Sequence, residues 1–133
     1  LKRAIEHEVV PACNKFGLGM LPYFPLASGF LTGKYRRGEA LPEGSRLAAW
    51  GPRAAGIANE ANFDVLEGLE RFAQERGHSM LELAFSWLAS QPVTSSVIAG
   101  ATSPDQVKQN ARAADWVLNE EEMKEVDGVL KGS

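Results

Sequence analysis

Val97-Ile98-Ala99-Gly100-Ala101-Thr102-Ser103-Pro104-Asp105-Gln106-Val107-Lys108-Gln109-Asn110 reads as a short buried strand, a tight glycine turn and the start of a helix. Ser103 can cap that helix, Pro104 fits its first position, and Gln106 completes an S-x-x-Q capping box. The first helical turn leaves backbone N–H groups unpaired and carries the positive end of the helix dipole. A phosphate placed there is held by the backbone itself if no side chain blocks the approach. Gly100 and Ala101 keep that approach open. An ordinary βα turn would look the same on this stretch alone, so the rest of the chain has to decide.

Working outward, Pro92 ends the preceding helix and Val93 to Ala99 form the strand. On the far side, Val107, Ala111 and Ala114 are expected on the inner face of the helix. Asn119 and Glu122 cap a final helix, with acids at its positive dipole end. Glu120 to Glu122 read as a solvated helix start rather than a metal site. Lys131-Gly132-Ser133 reads as a frayed terminus.

Upstream, two helices follow each other closely. Asn62 can cap the first, Val65, Leu66, Leu69 and Phe72 form its apolar stripe, and Gly77 ends it. Ser79-Met80-Leu81-Glu82 is a capping box opening the second, whose Leu83, Ala84, Phe85, Trp87 and Leu88 are apolar nearly all round and so should be buried. His78, in the turn between them, has only a small claim to function.

Gly19-Met20-Leu21-Pro22-Tyr23-Phe24-Pro25-Leu26 is a mostly apolar run bounded by glycine and reads as a strand buried on both faces. Pro22 and Pro25 cannot donate ladder hydrogen bonds, so pairing thins toward its end. That places Tyr23 near the carboxyl end of a strand, where α/β proteins hold their ligands. Before it, Ile5, Val9, Ala12 and Phe16 recur at helical spacing, with Pro11 expected to end or kink the helix near Val10. His7 reads as surface decoration, and Cys13 as a small buried hydrophobe.

Between the strand and the two helices lies a long, glycine-punctuated excursion to about residue 60. Gly29…Gly33-Lys34 is not a P-loop, because three residues rather than four separate the glycines and Tyr35 replaces Ser/Thr. Loops this long are usually functional or disordered. Lys34, Arg36, Arg37 and Arg46 make it locally positive in a chain of net charge -3. A solvated loop is one reading. The sharper one is a flap that closes on an anionic ligand, with Lys34 and Arg46 as its working charges.

The totals set bounds. The 133 residues suffice for one domain with a real core, and 44% hydrophobic with 23% charged residues is ordinary globular composition. No basic tract points to nucleic acid, and no apolar run approaches a membrane span or a secretory signal. A single cysteine excludes an internal disulfide framework and suits a reducing, cytoplasmic setting. The chain opens at Leu1 on helix-like residues with no cap. That opening, and two parallel strands with bare edges on both sides, lead to the expectation of an incomplete segment of a longer chain. Alternating β and α elements argue for an α/β fold with a parallel sheet or barrel.

Together these motifs resemble the C-terminal part of the aldo-keto reductases, nicotinamide-dependent (β/α)8 barrels, over about residues 16–130. Three blocks carry the resemblance in order: Tyr23-Phe24-Pro25-Leu26-Ala27-Ser28-Gly29, Leu31-Thr32-Gly33-Lys34-Tyr35, and Gly100-Ala101-Thr102-Ser103 through Gln106 to Asn110. It implies the C-terminal portion of a (β/α)8 TIM barrel, strands seven and eight with their helices, in the branch of potassium-channel β-subunits and related bacterial reductases. Residues 1–133 would be the cofactor-binding segment of a single barrel whose N-terminal catalytic part is absent.

By that resemblance, Tyr23 would stack on the nicotinamide of NADP(H). Leu26 and Ser28 would line the pyrophosphate path, and Lys34 and Arg46 would reach the cofactor's phosphates. Gly100, Thr102, Gln106, Gln109 and Asn110 would hold the adenosine end. Stacking on Tyr23 is worth on the order of 1 kcal/mol and each charge-assisted phosphate contact about 1.5–3 kcal/mol, so the phosphate clamp should dominate affinity. Two positions depart from the family pattern. Phe24 stands where serine is common, and Gln109 where related proteins often carry glutamate. Lys34 and Arg46 favour NADPH over NADH.

The family reduces aldehydes and ketones with an aspartate, tyrosine, lysine and histidine from the first half of the barrel, and none of those motifs is in this sequence. The segment alone should therefore not catalyse, and no catalytic or metal-binding residue is assigned. The leading expectation is the C-terminal portion of an NADPH-dependent carbonyl reductase acting on a small carbonyl substrate. A regulatory, cofactor-binding protein like the channel β-subunits is the alternative. A third reading is a non-catalytic segment that pairs with itself through exposed strand edges, as a homo-oligomer.

Overall fold

The computed structural model describes residues 1–131; the expected frayed terminus at Gly132 and Ser133 lies outside them. Among the described residues six α-helices are present: α1 Val9–Phe16, α2 Arg46–Ala49, α3 Glu60–Glu75, α4 Met80–Ala89, α5 Pro104–Arg112 and α6 Glu120–Lys131. Tight 3-10 turns fill Ala4–Glu6, Ala27–Thr32 and Gly51–Gly56. Their order follows the expected alternation, but among the described residues neither expected strand is formed along its length.

What remains of the sheet is a single parallel bridge, Met20 to Thr94. The Met20 N–H donates to the Val93 carbonyl at 2.7 Å, the Ser95 N–H to the Met20 carbonyl at 2.9 Å, and the Ile98 N–H to the Pro22 carbonyl at 2.8 Å. These bonds fix the parallel register and carry both segments to the same end. Burial on both faces is not observed, because Leu21, Tyr23, Phe24 and Ile98 are exposed. A parallel pair is buried only when further strands and crossover helices cover it, and these two segments have only each other.

The core sits instead where α3, α4 and α6 pack together. The expected α3 stripe, Val65, Leu66, Leu69 and Phe72, is buried throughout. Its cap lies three residues earlier than expected. The Asn59 side chain accepts from the Asn62 N–H at 3.0 Å, while Asn62 itself reaches back to the Ile57 carbonyl at 2.8 Å. At the other end Gly77 adopts φ 75° and lets the His78 N–H reach the Ala73 carbonyl, a left-handed stop that glycine tolerates best. Helix α4 opens with the expected capping box between Ser79 and Glu82, and α6 with that between Asn119 and Glu122. The Ser86 hydroxyl, fully buried on α4, donates to the Ala113 carbonyl at 2.9 Å and ties the end of α5 to the core.

Two expectations at the N-terminus are corrected. Helix α1 begins at Val9, so Pro11 falls in its first turn, where a missing N–H costs nothing; the break precedes it. Ile5, Val9 and Phe16 are exposed and Cys13 is only partly covered, because nothing among the described residues packs over that stripe. On α5, likewise, Val107, Ala111 and Ala114 are exposed, and Ala113 is the buried position.

Candidate functional site

The expected flap is not loose. Phe30 and Leu47 are fully buried, Tyr35 is 1% exposed, and Ala54 and Ser45 are nearly so. Phe30 stacks on Tyr35 and meets Phe63 of α3 edge-on, with ring centroids 5.8 and 5.2 Å apart. Burying a side chain of this size stabilises by about 1.5–3 kcal/mol, so several such anchors hold the segment down on the helices. The stretch read as a solvated loop or a flap is a docked cover, because its large apolar residues fall at the places where it touches the core.

The four cations singled out in that segment separate into two pairs, and a fifth, Arg53, is exposed like the second pair. Arg36 binds Glu70 at 3.1 Å and the Tyr35 carbonyl at 2.8 Å. Arg37 is ringed by Glu60, Asp64 and Glu67 of α3, and these hydrogen bonds, Glu67's foremost, raise its pKa. Lys34 and Arg46 are exposed, and among the described residues no carboxylate pairs with either. Two cations fasten the cover, while Lys34, Arg46 and Arg53 have no carboxylate partner among the described residues.

Beneath Lys34 lies a strained turn. Ala27 and Ser28 have φ of 45° and 60°, where L-residues with a Cβ are disfavoured by about 1–2 kcal/mol each, and Gly29 follows at 93°. The turn is held by the Gly29 and Leu31 N–H groups on the Leu26 carbonyl and by the Thr32 hydroxyl on the Gly29 carbonyl. Such strain clusters at ligand clamps. A Cβ built on Gly29 would lie 3.7 Å from the Tyr35 hydroxyl and 3.8 Å from Lys34 Nζ, so both groups converge on this glycine. Leu26 is half-buried against the core and Ser28 only 9% exposed. Tyr23 is 69% exposed, its ring leaning on Phe24 at 4.6 Å, a free face for stacking.

At the N-terminus of α5 the Ser103 side chain accepts from the Gln106 N–H at 3.3 Å, but the return arm of the expected box goes elsewhere. The Gln106 amide oxygen accepts from the Thr102 N–H at 2.7 Å and the Thr102 hydroxyl at 3.0 Å. The Asn110 amide donates to the Gly100 carbonyl at 3.3 Å. Gly100, Thr102, Gln106 and Asn110 are thus wired to one another, while Gln109 is exposed. A Cβ on Gly100 would meet nothing within 4 Å, so the open approach there does not depend on glycine. Behind α5 an open cleft of about 430 Å³ runs between Phe85 and Ala89 of α4 and Ser95 to Val97, with Asn110 on its wall.

The parallel bridge therefore brings the Tyr23–Gly29 and Gly100–Ser103 segments out at one end, one with unpaired cations above it and the other opening a helix. Comparison with known proteins supplies the family. The Aldo/keto reductase family model matches residues 1–131. The chain belongs to the aldo/keto reductase family. An Oryza sativa protein named as a probable voltage-gated potassium channel subunit beta is 37% identical over 136 residues, 98% of this chain and 40% of that protein. The L-glyceraldehyde 3-phosphate reductase of Escherichia coli O157:H7 is 37% identical over 116 residues, 84% of this chain and 33% of that enzyme. The solved glycerol dehydrogenase of Gluconobacter oxydans superposes with a TM-score of 0.78 at 30% identity, over 97% of this chain and 39% of that one. The chain spans about 40% of the length of such relatives.

Aldo/keto reductases are oxidoreductases that use nicotinamide cofactors on small carbonyl compounds. The residues present fit such a dinucleotide: exposed, unpaired Lys34 and Arg46 for phosphates, an exposed aromatic for a flat ring, and a capped helix start. Among the described residues no cluster of His, Cys, Asp and Glu suits a metal, and no helix is long and apolar enough to cross a membrane. His78, with little claim from the sequence, lies flat on Trp116 at 4.0 Å and reaches Glu82 at 3.4 Å, a packing role. Tyr35 is the residue that sequence reading passed over. It counted there only as a mismatch to a P-loop, although it closes the Leu31–Tyr35 block. Its hydroxyl is buried with no hydrogen-bond partner, at a usual cost of about 1–3 kcal/mol.

Proposed function

We propose that this chain is the C-terminal, cofactor-holding portion of an NADPH-dependent aldo-keto reductase that reduces small aldehydes or ketones in the cytoplasm. Bound nicotinamide supplies hydride in this family; the chain's own residues bind and orient. Tyr23 offers its exposed ring to the nicotinamide, Lys34 and Arg46 take phosphates, and the Gly100–Asn110 segment takes the adenosine end. The proton donor comes from residues outside this chain. The observation that carries the reading is the division of the cations: Arg36 and Arg37 are neutralised by α3 carboxylates, while Lys34 and Arg46 stay unpaired in a chain of net charge -3.

Lys34→Ala and Arg46→Ala test it. Each should weaken NADPH in a binding titration by about tenfold or more, as expected for a charge-assisted phosphate contact, and weaken NADH less. Equal losses for the two cofactors would refute the 2′-phosphate assignment. A 31% identical Escherichia coli protein is named NADH-specific methylglyoxal reductase, so cofactor choice differs among relatives of this chain.

A second reading, a cofactor-binding regulatory subunit, is favoured by the channel β-subunit names of the rice and Arabidopsis thaliana relatives. Abolished carbonyl reduction on removing the full protein's proton donor would argue against a purely regulatory role.

A further inference from the structure

We propose that the Tyr35 hydroxyl is a binding group of the phosphate clamp, a donor to the diphosphate bridge of the dinucleotide at the point from which Lys34 reaches on to the 2′-phosphate; this rests on the cofactor reading above. The ring needs no hydroxyl for its place in the core. It is 1% exposed, stacked on Phe30, and a phenylalanine would pack there equally well. Yet the oxygen is buried without a partner, a situation native proteins rarely tolerate without a use for it.

What it faces is specific. The hydroxyl and Lys34 Nζ lie 3.7 and 3.8 Å from the one point where Gly29 lacks a side chain. Lys34 Nζ also stands 5.3 Å over the Tyr35 ring, so the two donors lie side by side. Neither has an acceptor among the described residues, and one is a cation, so the missing partner is an anion. The Gly29 carbonyl accepts from the Thr32 hydroxyl at 2.7 Å and makes no bond with Tyr35. Ala27 and Ser28, held at positive φ on the other side of the glycine, are the strained residues whose relaxation would uncover the hydroxyl to an incoming phosphate.

The diphosphate is common to NADPH and NADH, so this contact has a different signature from the clamp on the 2′-phosphate. Tyr35→Phe in the full-length protein should raise the Kd of both cofactors by the same factor, about tenfold, while the melting temperature without ligand holds or rises. In the unmutated protein carrying tyrosine labelled with 13C at Cζ, one resonance missing from Tyr35→Phe should shift on adding NADP+. An unchanged Kd for both cofactors, with no such shift, would overturn the assignment and leave the hydroxyl a tolerated defect. A loss confined to NADPH would also overturn it, by placing the hydroxyl at the 2′-phosphate. Wild-type protein that binds neither dinucleotide would remove the cofactor reading itself, and this proposal with it.

Discussion

Gly68→Ala sets two effects of known size against each other at the α3–α6 seam that supports the docked cover. Alanine is favoured over glycine inside a helix by about 1 kcal/mol, so the change would stabilise an isolated α3. In the folded protein, however, a Cβ on Gly68 would lie 2.7 Å from Val129 Cγ1, about 1 Å inside ordinary carbon–carbon contact. Val129 is β-branched and on a helix, so χ1 rotation offers little escape, and the helices must part instead. Overpacking of this kind costs about 1–3 kcal/mol, which exceeds the propensity gain. The net expectation is a loss of about 1 kcal/mol, read as a lower urea midpoint at unchanged m-value. The two nearest remaining atoms, Val129 Cβ and Cγ2, are both 3.9 Å away, so the conflict rests on one methyl group. In a Val129→Ala background the same glycine substitution should become stabilising by roughly 0.5–1 kcal/mol, a reversal of sign that only direct coupling produces. A stabilising Gly68→Ala in the wild-type background would refute the argument, since it would mean that α3 and α6 separate at no cost.

Ser86→Ala leaves the Ala113 carbonyl without its buried donor and should cost about 1–3 kcal/mol in a denaturant melt, whereas Ser90→Ala, four residues on, should cost far less. The Glu82 carboxyl is held below its usual pKa, first by the Ser79 backbone N–H and then by the Ser79 hydroxyl, with a smaller contribution from His78. A depressed folded pKa means that its contribution is complete above the unfolded value near 4.5 and is lost as pH falls through the lower folded value. Melting temperatures of wild type and Glu82→Gln should therefore converge as the pH drops into that window, and a constant gap down to the acid limit would contradict the assignment.

The helix starts were legible because their determinants lie within four residues. Ser79 with Glu82, Asn119 with Glu122 and Ser103 with Gln106 N–H all formed as their spacing required. So was the α3 stripe, whose period alone points Leu66, Leu69 and Phe72 to one side. Nearby alternatives of the same chemistry were harder to separate. Asn59 and Asn62 both suit a cap, and tertiary packing of the preceding turn chose the first. Gln106 likewise had two N–H groups within reach and took that of Thr102 rather than closing the box on Ser103.

Local patterning by itself determined the helix starts at Ser79, Ser103 and Asn119 and the parallel sense of the two apolar segments. It could not determine burial, because burial is a property of what lies opposite. Leu21 and Phe24 read as interior and are exposed, while Phe30, Tyr35 and Leu47 sat in a stretch read as a flap and are core. The carboxylates that neutralise Arg36 and Arg37 lie 23 to 34 residues away on α3, beyond any local pattern. Only the folded chain decides which charges are spent on holding the structure together and which, as at Lys34 and Arg46, keep no carboxylate partner among the described residues.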